Sequence, residues 1–204
     1  MNRDTRAMRM SGPAGAIEGE VDEPNGPVRG IVVLCHPHPQ HGGTMGNKVV
    51  QTLARAFVQM GYRAVRFNFR GVGASEGVWD DGRGEVDDAL AVVQAQRMPE
   101  LPLALGGFSF GAFVAARAAA ALAGQVEVER LVLVGPATSR FEMPTVPSDT
   151  VVIHGEADDV VPLSATLDWA RPQSLPVIVL PGVGHFFHGQ LTLLKSQVMQ
   201  AWHR

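Results

Sequence analysis

Gly107-Phe108-Ser109-Phe110-Gly111 lies at the boundary between two segments with different hydrophobic patterns. The residues before the serine, Leu103–Phe108, form a short run without charge, which predicts a buried strand. The residues after it, Phe110–Ala123, carry Arg117 as their only charge, which predicts a helix packed on nearly every side. Glycines two positions before and two after the serine let a strand and a helix approach closely. The pentapeptide therefore predicts a tight strand-to-helix turn near the centre of the fold.

Short apolar runs alternate with helical patterns on both sides of this turn. Such alternation is typical of parallel strands joined by right-handed helical crossovers. We predict an α/β fold with a mostly parallel central sheet and helices on both faces, formed by a single domain over residues 1–204. The predicted strands are Ile31–Cys35, Ala64–Phe69, Leu103–Phe108, Leu131–Val134, Val151–His154 and Val177–Leu180, with one or two edge strands around Ala16–Val21. The predicted helices are Asn47–Met60, Glu85–Met98, Phe110–Ala123 and Phe187–Trp202.

Composition argues against several classes of partner. The chain is 46% hydrophobic with a formal net charge of −3, which leaves no excess of positive charge for nucleic acid or an anionic membrane surface. No apolar stretch approaches the roughly 18 residues of a membrane span. The one cysteine, Cys35, cannot form an intramolecular disulfide and lies in a predicted buried strand. We expect a cytoplasmic protein without nucleic-acid or membrane partners, whose oligomeric state no pattern indicates.

Ser109 stands in the G-x-S-x-G pattern of a nucleophile elbow. A serine on such a turn adopts a strained backbone conformation at the start of a helix, where free N–H groups favour developing negative charge. A serine hydroxyl becomes a useful nucleophile only when a neighbouring base removes its proton. The sequence therefore predicts Ser109 as a nucleophile and requires a base.

His185 and an acid downstream of Ser109 supply the remaining chemistry. His185 follows the last predicted strand on a glycine-rich loop, at the sheet edge where the serine is expected. The acid should follow the preceding strand, where Glu156, Asp158 and Asp159 compete. A buried carboxylate there would fix the imidazole tautomer and stabilise the imidazolium. We favour Asp158, with Asp159 as the alternative.

Two backbone N–H groups are needed to stabilise the oxyanion of an acyl-transfer reaction. Phe110, the residue after the serine, supplies the first. The second should come from the loop His36-Pro37-His38-Pro39, in which neither proline has an amide proton. Only His36 and His38 can donate there, and we expect His36 to complete the strand, so we predict the backbone N–H of His38 as the second donor.

The connection after the strand ending at Val134 is too short for a lid domain. About fifteen residues with three prolines separate Val134 from Thr150. We expect a shallow, exposed site without lipase-like interfacial activation, lined by residues such as Trp79, Phe110, Met143 and Phe186.

No metal or cofactor site is indicated. His36, His38 and His41 lack a helical H-x-x-x-H spacing or a cysteine partner. The segment Arg70-Gly71-Val72-Gly73 lacks a third glycine at the position that a dinucleotide-binding loop requires. We expect a structural turn there, which Arg70 anchors through a salt bridge, with a contact to substrate as the alternative role of Arg70.

Besides the Ser109 turn, four motifs stand out in the chain: Leu34-Cys35-His36-Pro37-His38-Pro39, Phe67-Asn68-Phe69-Arg70-Gly71-Val72-Gly73-Ala74-Ser75-Glu76-Gly77, His154-Gly155-Glu156-Ala157-Asp158 and Gly184-His185-Phe186. In these motifs the chain resembles small bacterial members of the α/β-hydrolase superfamily, near the dienelactone hydrolases. In similar sequences the first aspartate of the third motif is the acid of a catalytic triad, which supports Asp158. The His-Gly pair usual in the first motif is His36-Pro37 here.

These residues predict hydrolysis of a small-molecule carboxylic ester or thioester through an acyl-enzyme on Ser109. The same triad would serve an acyltransferase or a cofactor-free perhydrolase. A non-catalytic binding module on a hydrolase fold is the third hypothesis, since a fold does not fix a function.

Overall fold

A computed structural model describes residues 5–203 of the chain. Its centre is an eight-stranded sheet in the order β1-β2-β4-β3-β5-β6-β7-β8. The hairpin β1-β2 pairs antiparallel to β4, and β3 to β8 are mutually parallel. The strands are β1 (Thr5–Gly12), β2 (Gly15–Asp22), β3 (Gly30–Cys35), β4 (Tyr62–Phe67), β5 (Leu103–Phe108), β6 (Val128–Val134), β7 (Val151–Gly155) and β8 (Val177–Leu180).

Helices cover both faces of the sheet. They are α1 (Lys48–Gln59), α2 (Arg83–Gln96), α3 (Phe110–Leu122), α4 (Leu163–Ala170) and α5 (Leu191–Trp202). One hydrophobic core lies between the sheet and helices α2 and α3, and a second lies between the sheet and helices α1 and α5. This arrangement confirms the predicted mostly parallel sheet with helices on both faces.

Several element boundaries differ from the prediction. The last helix begins at Leu191 instead of Phe187, because Phe187 has a φ of +53° and Gly189 a φ of +72°, which break a helix. Helix α4 was not predicted, since it is only eight residues long. The edge strands form a complete hairpin, β1-β2, with eight residues in each strand.

Helix α3 is buried along most, but not all, of its length. Phe110 to Ala116 are buried, whereas Arg117, Ala120 and Ala121 are exposed. The expectation that this helix packs on nearly every side is therefore wrong for its last turns. Alanine has the highest helix propensity and little surface to bury, so exposure at the helix end costs little.

The connection between β6 and β7, residues 135–150, contains no helix or strand. Nothing in this connection could act as a helical lid. Within residues 5–203, no helix combines the length and the apolar character that crossing a bilayer requires.

Candidate active site

Ser109 occupies the turn between β5 and α3. Its backbone has φ +57° and ψ −119°, a conformation that non-glycine residues rarely adopt. The Ser109 N–H donates to the Val134 carbonyl at 2.9 Å, which ties the turn to the neighbouring strand β6. A side chain at Gly107 or Gly111 would collide with the backbone of Gly111 or Cys35, respectively. The strained turn therefore depends on both glycines, as the sequence pattern indicates.

His185 lies beside the serine on the loop that follows β8. Its Nε2 is 3.0 Å from Ser109 Oγ. The imidazole is buried, 3% exposed, and its ring centroid lies 4.9 Å from that of Phe108. Packing against Phe108 holds the ring in the orientation that this hydrogen bond requires.

Asp158 contacts the other side of the same imidazole. Its Oδ2 is 2.6 Å from His185 Nδ1, and its Oδ1 accepts hydrogen bonds from the N–H groups of Val160 and Val161 at 3.0 and 2.7 Å. Burial by itself would raise the pKa of Asp158, but the hydrogen bonds from His185 and from these amides outweigh it, so the pKa lies below its usual value. Asp159 is exposed and makes none of these contacts.

Backbone contacts hold the Asp158 loop against the His185 loop. Glu156 N–H donates to the Leu180 carbonyl and Ala157 N–H donates to the Val183 carbonyl, each at 3.0 Å. A side chain on Gly155 would strike the Val183 carbonyl, so the two loops approach as closely as their backbones allow. The sheet thus brings together three side chains that lie 27 to 76 residues apart in sequence.

The contacts define the proton positions in this chain of hydrogen bonds. The Asp158 carboxylate can only accept, so His185 Nδ1 carries a proton and donates it. In the neutral ring Nε2 is then an acceptor, and the Ser109 hydroxyl donates to it. This arrangement can remove a proton from Ser109 as its oxygen attacks a carbonyl carbon.

The two predicted oxyanion donors both border the cavity above Ser109. Phe110 is the first residue of α3, where backbone N–H groups have no intrahelical acceptor. Within residues 5–203, neither the Phe110 N–H nor the His38 N–H donates to another protein atom. Both groups are therefore available to bind an oxygen atom of a ligand.

A compact loop fixes the orientation of the His38 peptide. The His38 carbonyl accepts from the N–H groups of His41 and Gly43 at 3.1 and 3.0 Å. The buried His36 ring ties the start of the loop to the end of β4, because its Nδ1 donates to the Pro37 carbonyl at 2.6 Å and its Nε2 accepts from the Phe69 N–H at 3.1 Å. Burial lowers the pKa of His36 to about 4, although the Pro37 carbonyl opposes the shift.

A cavity of about 490 Å³ opens above the serine. Phe186 lines it as expected, but Trp79 and Met143 do not. Trp79 lies behind the lining, with its ring 4.5 Å from His38 and 5.1 Å from Phe110. Met143 packs against the core between the sheet and helices α2 and α3, so the expectation of a lining role is corrected. The lining residues are Pro37, His38, His41, Gly42, Gly43, Asn47, Ser109, Phe110, Ala137, Arg140, Phe141, Val160, Val161, His185 and Phe186.

Part of the cavity wall is formed by residues that were not predicted from the sequence. Phe141 and Arg140 come from the connection after β6, and Val160 and Val161 lie in the loop after β7, two and three residues after Asp158. Both segments follow the carboxyl ends of parallel strands, which is the position at which ligand-contacting loops occur. The sequence order of strands and loops therefore indicated that these segments lie near the site. It did not indicate which of their side chains point into the cavity.

Arg140 is the side chain with a permanent charge among the described residues that line the cavity. Burial lowers the pKa of His38, and the nearby His41 and Arg140 lower it further. Arg140 forms no ion pair with any other described residue. Among residues 5–203, no aspartate or glutamate lines the cavity.

Three further predictions concern the turn after β4, the cysteine and metal binding. Arg70 forms a salt bridge with Asp88 of α2 at 2.8 Å, which confirms its role in anchoring the turn after β4. Cys35 is buried, and burial raises the pKa of its thiol far above the usual range. The part of the chain from residue 5 to 203 contains no group of three or more metal-ligating side chains.

Solved structures of other proteins share this architecture. A serine hydrolase without a lid from Xanthomonas campestris is 38% identical, with a TM-score of 0.91 over 100% of this chain and 96% of that one. A serine hydrolase homologue from Coxiella burnetii is also 38% identical, with a TM-score of 0.87 over 96% of each chain. The fold and the likeness together define a small α/β hydrolase without a lid.

The sequence also matches a known family. Residues 26–145, more than half of the chain, match the model of the family described as serine aminopeptidase, S33. The chain belongs to this family. The matched region includes Ser109 and ends before Asp158 and His185. An uncharacterized protein of Rickettsia prowazekii is 31% identical over 194 residues, which cover 87% of this chain and 80% of that protein.

Proposed function

We propose that this protein hydrolyses small carboxylic esters or thioesters through an acyl-enzyme on Ser109. The observation that carries the proposal is the continuous hydrogen-bonded chain from Ser109 Oγ through His185 to Asp158, with contacts of 3.0 and 2.6 Å. The proposal assigns Ser109 as nucleophile, His185 as general base and Asp158 as the acid that orients it.

In the proposed reaction, Ser109 Oγ attacks the substrate carbonyl carbon while its proton moves to His185 Nε2. The carbonyl oxygen becomes an oxyanion, which the N–H groups of Phe110 and His38 stabilise. The tetrahedral intermediate collapses as His185 gives its proton to the leaving alcohol or thiol. Water, deprotonated by His185, then attacks the acyl-enzyme by the same steps and releases the carboxylic acid.

The charge of the cavity supports an ester or thioester over a peptide with a free amino terminus. An aminopeptidase must bind the ammonium group of its substrate, which calls for an acidic or other accepting group near the scissile bond. Of the described residues that line the cavity, Arg140 carries a permanent positive charge and none is a carboxylate. A volume of about 490 Å³ suits a small substrate.

Fluorophosphonate labelling followed by peptide mapping tests the proposal. We expect a label on Ser109 that is absent in the Ser109→Ala variant. Short-chain esters and thioesters should then be cleaved much faster than an aminoacyl anilide of similar size. A folded protein that takes no label would contradict the proposal and favour the non-catalytic binding module.

Transfer of the acyl group to an acceptor other than water would use the same triad. Product analysis with alcohols, amines or hydrogen peroxide in competition with water separates the two reactions. A hydrolase should give the free acid as its main product at millimolar acceptor concentrations. A dominant transfer product would identify an acyltransferase or a perhydrolase.

A further inference from the structure

A second histidine contacts the acid of the site from behind. His154 lies on β7 and is fully buried, and its Nε2 is 3.3 Å from Asp158 Oδ2 and 2.9 Å from the Val161 carbonyl oxygen. On the other side of the ring, Nδ1 is 3.2 Å from the Thr166 hydroxyl, which is 3.0 Å from the Thr138 hydroxyl. The mechanism proposed above uses none of these three side chains.

The acceptors around His154 determine where its proton lies. The Val161 carbonyl and the Asp158 carboxylate can only accept, so His154 Nε2 must carry the proton that faces them. In a neutral ring Nδ1 then accepts from the Thr166 hydroxyl, whose oxygen in turn accepts from Thr138. Every polar atom of this buried chain has a partner of the correct kind.

The ring is held neutral. Burial lowers the pKa of His154, and the contacts with the Val161 carbonyl and with Asp158 only partly oppose this shift, while the nearby His185 adds to it. A neutral His154 leaves the negative charge of Asp158 available to the imidazolium that forms on His185. A cationic ring at the same position would compete with His185 for that charge.

The backbone of Val161 links His154 to Asp158 through two hydrogen bonds. Its N–H donates to Asp158 Oδ1 at 2.7 Å, and its carbonyl accepts from His154, which also contacts Asp158 Oδ2. Oδ2 thus accepts a hydrogen bond from His185 Nδ1 and lies 3.3 Å from His154 Nε2, whose proton is donated to the Val161 carbonyl. Rotation of the carboxylate would break contacts at both of its oxygens.

We propose that His154 is a positioning residue that fixes the Asp158 carboxylate for proton transfer at His185, and that the Thr166 hydroxyl holds the His154 ring in place. This inference rests on the proposed function, because it assigns His154 a role in the same reaction. The effect acts through Asp158 and His185, which lie between His154 and the substrate cavity.

A pair of His154 variants tests the role. His154→Leu removes the donor, and His154→Gln keeps an N–H group at about the same reach. With a short-chain ester, we expect His154→Leu to lower kcat about tenfold or more while KM changes less than about twofold. His154→Gln should recover most of the loss. Equal kcat values for wild type and a folded His154→Leu would overturn the proposal.

A second pair covers the case in which His154→Leu does not fold. Thr166→Val removes the hydroxyl that binds Nδ1 with almost no change in shape, and Thr166→Ser retains it. We expect Thr166→Val to reduce kcat at least about threefold relative to Thr166→Ser, with similar KM values. Equal kcat values in these two variants would count against the proposal.

The protonation state of His154 provides a readout that needs no activity. In ¹⁵N-labelled wild-type protein at pH 7, His154 should be neutral with the proton on Nε2, and His185 should carry its proton on Nδ1. A cationic His154, or one protonated on Nδ1 alone, would overturn the proposal. Absence of fluorophosphonate labelling in the wild type would instead contradict the proposed function, so the two failures are distinguishable.

Discussion

A Cβ atom on Gly107 would collide with the backbone of Gly111, four residues along the chain, where β5 turns into α3. No side-chain movement can relieve a clash with backbone atoms. We therefore predict that Gly107→Ala lowers the free energy of unfolding by about 3 kcal/mol or more, measured by urea denaturation. Gly26→Ala is the control, since a Cβ there meets no atom within 4 Å, and it should stay within about 0.5 kcal/mol of wild type. Equal effects of the two variants would contradict the close approach.

The positive φ of Ser109 predicts how the stability of two Ser109 variants differs. Both Ser109→Ala and Ser109→Gly remove the proposed nucleophile and should abolish fluorophosphonate labelling. Because φ is +57° at this position, glycine should fit the turn with less strain than alanine. We expect Ser109→Gly to be more stable than Ser109→Ala by about 1 kcal/mol in thermal unfolding. The opposite order would indicate that the turn carries no backbone strain.

Asp158 and Asp159 form a matched pair of neighbouring carboxylates. Asp158→Asn should disturb the tautomer of His185 and reduce kcat about 10⁴-fold. Asp159→Asn should remain within about twofold of wild type, because the exposed side chain contacts neither His185 nor His154. Initial rates on a short-chain ester measure both effects, and a large loss in Asp159→Asn would reverse the assignment of the acid.

His36 should make the protein less stable in mild acid. Its pKa falls from 6.5 to about 4 on folding, because burial disfavours the charged ring. The folded state therefore binds fewer protons than the unfolded state between these pH values. The free energy of unfolding is therefore unaffected by His36 above pH 6.5. It decreases as the pH falls from 6.5 towards 4, by about 1.4 kcal/mol per pH unit.

Comparison with His36→Gln isolates this contribution. All other ionisable groups are the same in the two proteins, so the difference between the two curves of unfolding free energy against pH reports His36. We expect the wild-type curve to be steeper between pH 4.5 and 6 by about 1 kcal/mol per pH unit. Parallel curves would show that His36 titrates normally in the folded protein.

Residues 135–150 offer no helical lid, so the cavity needs no interface to open it. Activity on an ester should follow saturation kinetics through the solubility limit of the substrate. A vinyl or nitrophenyl ester of intermediate chain length, assayed below and above that limit, provides the measurement. A sharp rise in rate above the limit would indicate a lid-like element.

Signals local in the sequence predicted most of the fold. The strand β5, the turn at Ser109 and the start of α3 follow from an uncharged apolar run, two glycines and an alanine-rich segment that are contiguous in the chain. Hydrophobic periodicity likewise predicted α1 and α2 to within two residues at each end. The predicted start of α5 was wrong. The hydrophobic periodicity of a helix extends back to Phe187, but the positive φ angles of Phe187 and Gly189 are not helical, so the helix begins at Leu191.

The sequence by itself determined which residue types stand at the carboxyl edge of the sheet, since chain order and strand positions suffice to bring Ser109, Asp158 and His185 to the same edge. Only the tertiary structure decided that Asp158 rather than Asp159 meets His185, and that Phe141 rather than Met143 lines the cavity. Only the tertiary structure also brought Thr166 and Thr138 to His154. The physical reason is that side-chain direction in a loop depends on contacts with segments far away in sequence. One such contact is the hydrogen bond from the Ala157 N–H to the Val183 carbonyl, and no local sequence pattern encodes it.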